Sequence, residues 1–171
     1  MKVPLWALLL GSIAYGFIFS LAFPIIAPQE KIKVRAQEEN IEYPLDPRVL
    51  TLEAYLLSKN SPLKDNATTF ITAADVAGLD WRLLPAISGV ESGFGKALLQ
   101  NSYNPFGWGG GYIKFQSFDD AIFTVALSLK ISYVEKGAET VPQIAPIYCP
   151  PNSEKWSRGV SFFMSQIGKP L

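Results

Sequence analysis

The chain has 171 residues, 49% hydrophobic and 13% aromatic, with 15 Lys+Arg balanced by 15 Asp+Glu. That length holds one domain with an N-terminal appendage, and no basic surplus marks a nucleic-acid surface. Histidine is absent and Cys149 is the single cysteine, which excludes Ser-His-Asp and Cys-His nucleophiles, His-ligated metals, thiolate zinc clusters and an internal disulfide. Any chemistry must come from carboxylates, hydroxyls, amides, Lys or Arg, so no metal or cofactor is called for and carboxylate acid–base chemistry is the natural remainder.

From Val3 to Pro28 no residue is charged, and a run of about 20 apolar residues is long enough to span a bilayer as a helix. Residues 1–28 therefore read as a transmembrane anchor. A cleaved signal is the other reading, with Val34-Arg35-Ala36 offering small-residue spacing before Gln37-Glu38-Glu39. Residues 29–46 are charged and then broken by Tyr43-Pro44 and Asp46-Pro47, as a linker would be, leaving 47–171 as the folded domain. Lys31, Lys33 and Arg35 follow the span, and the positive-inside rule taken alone would keep that side in the cytoplasm.

Asp46 with Pro47 predicts a helix start, and the helix runs to about Lys59. Ser61-Pro62 restarts the chain into a second helix carrying Leu63, Ala67, Phe70, Ile71 and Ala74, ended by Gly78. Asp80 caps a third, from Trp81 to about Ser92. A glycine- and aromatic-rich insert spans Gly93 to Gln116. Ser117 and Asp120 then form a capping box for a long fourth helix with Phe118, Ile122, Val125 and Leu129 at helical spacing, and Gly137 ends it. Pro142, Pro146, Pro150 and Pro151 are expected to break the next stretch into short pieces. A last helix from about Ser153 places Trp156, Val160, Phe163, Met164 and Ile167 on one side. The expectation is a mostly α domain with a short irregular or β-hairpin insert.

On the third helix Leu84, Ile87 and Glu91 share a face. A carboxyl at the end of an apolar stripe and a helix C-terminus is disfavoured as an anion, the condition a general acid needs. The alternative is an exposed last-turn glutamate with no role. The insert Asn101-Ser102-Tyr103-Asn104-Pro105-Phe106-Gly107-Trp108-Gly109-Gly110-Gly111-Tyr112 offers aromatic faces for sugar rings and amides for their hydroxyls. It reads equally as a turn-rich hairpin covering the core. Tyr148, fixed before Cys149-Pro150-Pro151, either orients a substrate group or is a core tyrosine with a satisfied hydroxyl. Asn66-Ala67-Thr68 fits a glycosylation pattern but falls in a predicted helix, and Cys149 reads as a buried apolar residue.

The stretch Ala74 to Gly95, with Ala86-Ile87-Ser88-Gly89-Val90-Glu91-Ser92-Gly93-Phe94-Gly95 at its end, resembles the signature of lytic transglycosylases and related lysozyme-like enzymes. Asn104-Pro105-Phe106-Gly107-Trp108 is similar to the Asn-Leu-Phe-Gly segment of bacterial endo-β-N-acetylglucosaminidases, and Glu91-Ser92 followed by Gly95-Lys96 fits that group too. The resemblance covers roughly residues 47 to 168. It implies a lysozyme-like fold cutting β-1,4 bonds of peptidoglycan by hydrolysis or by transglycosylation. Glu91 would be the acid, Tyr148 the tyrosine brought beside it, and Ser92 a neighbour shaping the site. Asn104 and Trp108 would line the sugar cleft. Tyr103, Phe106 and Tyr112 are the further substrate contacts that the aromatic composition of the same insert suggests. The family's C-terminal tyrosine motif stands here as Tyr148-Cys149-Pro150-Pro151. No second carboxylate is obviously placed: Asp119 and Asp120 read as helix-start residues, and Glu135, Glu139 and Glu154 as solvent-facing. The partners so implied are a glycan strand and, through the N-terminal segment, a membrane. Because that substrate lies outside the cell, the expectation is an exported domain, anchored or secreted.

Overall fold

The computed structural model describes residues 45–169. The anchor or signal expected over 1–28, and all but the end of the 29–46 linker, lie outside the described residues. Among those described there are six α-helices and no strand: α1 Pro47–Ser58, α2 Ala67–Ala77, α3 Leu83–Ser92, α4 Phe118–Ser132, α5 Val141–Tyr148 and α6 Ser153–Gln166. The domain is mostly α, and its insert is irregular rather than a hairpin. No helix among the described residues is long and apolar enough to cross a membrane.

Local chemistry sets most of the boundaries. The Arg48 N–H donates to the Asp46 carboxylate at 2.8 Å, with Pro47 in the first turn where its missing N–H leaves nothing unpaired. Gly78 ends α2 in the left-handed region, at φ 66°. Ser117 accepts the Asp120 N–H at 3.1 Å, and Asp120 answers by accepting the Gln116 N–H at 3.0 Å, one residue ahead of the usual box.

Four boundaries differ from the sequence reading. The second helix begins later, because Lys64–Asn66 forms a 3₁₀ turn first. Asp80 accepts the Arg82 N–H at 2.9 Å and so caps a turn, with α3 starting at Leu83. The fourth helix ends at Ser132, and Gly137, at φ 91°, closes a separate 3₁₀ turn over Val134–Lys136. The prolines do not fragment 141–148. Pro142 sits in the first turn of α5 and Pro146 inside it, and the missing Pro146 N–H is tolerated in a helix of about two turns.

The core gathers Leu52 and Leu56 of α1, Phe70 of α2, Leu84 and Ile87 of α3, Ile122, Val125 and Leu129 of α4, Ile144 of α5 and Val160 of α6. Every residue of α3 from Leu83 to Gly89 is buried, so it is the central helix, covered on all sides. Helix α6 packs along it, and α5 packs on α6. Two glycines permit that approach. A Cβ on Gly89 would stand 2.6 Å from the Phe94 ring and 2.9 Å from the Phe163 ring, and one on Gly159 would stand 3.0 Å from Val90. Phe94 in turn packs edge-on against Phe163, with ring centroids 4.9 Å apart. Gly89→Ala is expected to lower unfolding free energy by about 1–3 kcal/mol through overpacking, read as a lower urea midpoint.

Candidate active site

Glu91 stands in the last turn of the central helix, and Gly93, at φ 59°, turns the chain away from it. Behind the turn Ser92 is buried, and its hydroxyl ties three segments. It lies 2.7 Å from the Pro105 carbonyl oxygen and 3.0 Å from that of Ser88, and it accepts the Gly95 N–H at 2.9 Å. Ser92 thus fastens Gly95 and Pro105 of the insert to α3.

Across the α3–α6 contact, the indole N–H of Trp156 donates to Glu91 Oε1 at 2.7 Å. Trp156 is 3% exposed, and a buried indole N–H needs an acceptor. On the other side of the carboxyl runs Gly107, at φ +60°, where a Cβ would stand 2.6 Å from Glu91 Oε2. A side chain there would have to push the carboxyl aside, in a backbone region that favours glycine. Burial pushes the Glu91 carboxyl up from the ordinary glutamate range, and the Trp156 N–H, which favours the anion, offsets part of that rise.

Tyr148 ends α5. Its phenol donates to the Phe106 carbonyl at 2.6 Å, and its ring stacks on Trp156 with centroids 4.7 Å apart. Burial first, and then the charge of Glu91, push the phenol well above its usual range, so it remains a neutral donor. Asn104 is buried and fully engaged. Its amide N–H groups donate to the carbonyls of Trp108 at 2.9 Å and Ile113 at 3.0 Å, and its oxygen accepts the Trp108 N–H at 3.0 Å. Asn104 and Tyr148 therefore hold the glycine-rich loop in place.

The loop separates two cavities of about 410 Å³ each, which share Gly107 and Gly110. One is lined by Glu91, Ser92, Leu99, Asn104 and Tyr112. The other is lined by Trp108, Tyr133 and Tyr148, whose rings lie 5.6–6.3 Å apart. Among the described residues, Glu91 is the one carboxyl lining either cavity. Asp119, Asp120, Glu135, Glu139 and Glu154 are exposed, and Asp119 accepts from Asn66 at 2.8 Å and Thr69 at 2.6 Å, joining α2 to α4. Among the described residues no group of three or more acidic, Cys or His side chains is placed to hold a metal ion.

Several expected contacts fall elsewhere. The Phe106 ring is wholly buried, edge-on to Phe70 at 6.4 Å, so this residue meets the site through its carbonyl and its ring belongs to the core. Tyr103 packs edge-on against Phe118 at 5.2 Å and lines a neighbouring depression with Gln100 and Asn101, away from Glu91. Tyr112, by contrast, does line the Glu91 cavity and is 82% exposed at its rim. Cys149 is half-buried, with a free thiol. Trp156 and Tyr133 were not among the sequence candidates. Trp156 was readable as an apolar residue of α6, and only the demand of its N–H for a buried acceptor could have marked it. Tyr133 lay unmarked at the end of a helix expected to continue.

No protein-family model matches the chain, and no curated protein matches it.

Two outcomes follow from this geometry. Gly107→Ala, which places a methyl on Oε2 in a backbone region unfavourable to alanine, is expected to displace the loop or the carboxyl. It should destabilise the fold by about 1–3 kcal/mol, read in urea melts. Because burial raises the Glu91 carboxyl, the folded state favours its protonated form. That stability is full in acid and is lost as pH rises through the raised value. Glu91→Gln cannot lose it, so the variant's melting temperature should gain on the wild type as pH is taken from 4 to 8.

Proposed function

We propose that this domain is a peptidoglycan glycosidase of lysozyme-like fold, with Glu91 as its general acid. The observation that carries the proposal is the state of that carboxyl: half-buried, one oxygen bound by an indole N–H, the other against a glycine shared by two open cavities. An acid so held stays protonated nearer neutral pH than a free glutamate. Trp108, Tyr133 and Tyr148 supply aromatic faces suited to sugar rings. The resemblance of Glu91-Ser92 and Asn104-Pro105-Phe106-Gly107-Trp108 to peptidoglycan-cutting enzymes supplies the substrate class, the β-1,4 glycan of N-acetylglucosamine and N-acetylmuramic acid.

The leading reading is an endo-β-N-acetylglucosaminidase. Glu91 gives its proton to the glycosidic oxygen as the bond from that oxygen to C1 breaks. The substrate's acetamido oxygen then bonds to C1. Water opens the resulting ring, and its proton returns to Glu91. A lytic transglycosylase is the second reading, and it is supported by the observation that, among the described residues, no other carboxyl lines the cavities. There a hydroxyl of the muramyl sugar attacks C1 and Glu91 recovers the proton from it, leaving an anhydro end. Either chemistry acts on a substrate outside the cytoplasm. We accordingly propose export of the domain, with residues 1–28 as membrane anchor or cleaved signal.

The test is cell-wall clearing in a gel by wild type and Glu91→Gln, followed by analysis of the released ends. Loss of the acid is expected to lower turnover by about 10²–10⁴-fold. New reducing N-acetylglucosamine ends support the leading reading, and anhydro-muramyl ends the second. Clearing by neither protein, with glycan binding retained by both, would instead mark a membrane-tethered binding module.

A further inference from the structure

We propose that Trp156 is a positioning residue that sets where the proton of Glu91 resides, an inference that rests on the reading of Glu91 as the acid. An indole N–H can only donate, so the oxygen it meets must accept. The carbonyl oxygen of a neutral carboxyl is its better acceptor, so a donor 2.7 Å from Oε1 favours that oxygen as the carbonyl and the proton on Oε2. Oε2 is the oxygen that lies against Gly107, the residue common to both cavities. The donor thus selects the oxygen from which transfer into the groove takes place.

The frame around the carboxyl closes on itself. Glu91 Oε1 is held by Trp156, the Trp156 ring is stacked on Tyr148, and the Tyr148 phenol is bound to the carbonyl of Phe106. Phe106 is joined by the chain to Gly107, which returns to Oε2. Trp156 is 3% exposed, so its N–H is protected from competing water. As the proton leaves Oε2, negative charge spreads onto Oε1. The indole then donates to an anion instead of a neutral carbonyl, and charge-assisted hydrogen bonds are about twice as strong as neutral ones. The interaction tightens toward the transition state, so it acts on kcat more than on KM.

Trp156→Phe keeps an aromatic ring on Tyr148 and removes the N–H. Turnover is expected to fall about tenfold with KM nearly unchanged. The alkaline limb of the pH profile should move to higher pH, because a donor that favoured the carboxylate is gone. A merely structural role would not move that limb. A second measurement does not depend on a Trp156 variant: the Trp156 indole ¹H–¹⁵N resonance of the full chain, followed against pH. It is expected to show one inflection in the wild type and none in Glu91→Gln. An indole resonance that stays flat in the wild type, while Glu91→Gln is inactive, overturns the role of Trp156 and leaves the acid in place. A Glu91→Gln variant that still cuts glycan overturns the reading beneath it.

Discussion

A carboxyl that has lost part of its water either finds donors for its charge or gives the charge up, and Glu91 does some of each. Burial raises its affinity for a proton, and the single indole donor lowers it less than burial raises it. Everything near the groove follows from keeping that balance in one geometry. The carboxyl must end a helix that is itself immobile, which is why α3 is enclosed on all sides. The donor must come from a second helix that lies very close, which is why glycines stand at 89 and 159, where a Cβ would meet Phe94, Phe163 or Val90.

The insert completes the arrangement from the other side. Its backbone carries more strain than the helices do, with Phe94, Asn101 and Tyr103 all at positive φ. Each such residue costs of order 1 kcal/mol or more and persists only where its surroundings fix it. Here the fixing groups are identifiable. The Ser61 hydroxyl donates to the Phe94 carbonyl at 2.8 Å, Ser92 reaches Pro105, Asn104 clips three backbone groups, and Tyr148 holds Phe106. The loop owes its shape to side chains on α3, on α5, in the connection between α1 and α2 and within itself, so the groove is organised before any ligand enters.

How much of this was legible in the sequence depended on how local the cause was. The Asp46-Pro47 start, the Gly78 stop and the Ser117 cap are short-range hydrogen bonding, and each stands where the residues put it. Glu91 was legible because its place at the end of an apolar face needs only helical periodicity. Pro142 and Pro146 do not break α5, because a two-turn helix can spare one N–H, whereas Pro150-Pro151 do open a separate short turn. Phe106 was assigned to the substrate on the composition of the insert, and composition cannot distinguish a ring that faces solvent from one packed on Phe70. That the Asn104 amide clips its own loop while lining the Glu91 cavity was likewise not readable from residue type. The Trp156–Glu91 contact joins residues 65 positions apart, and it exists because of small residues elsewhere on both helices. No local pattern encodes that.

The most direct measurement is a ¹³C titration of the Glu91 side-chain carboxyl in the intact chain, assigned by its disappearance in a Glu91 substitution. The inflection is expected to lie above the range of an unperturbed glutamate. An inflection within or below that range would mean the site holds a carboxylate and not an acid, and the proton on which the functional reading depends would be absent near neutral pH.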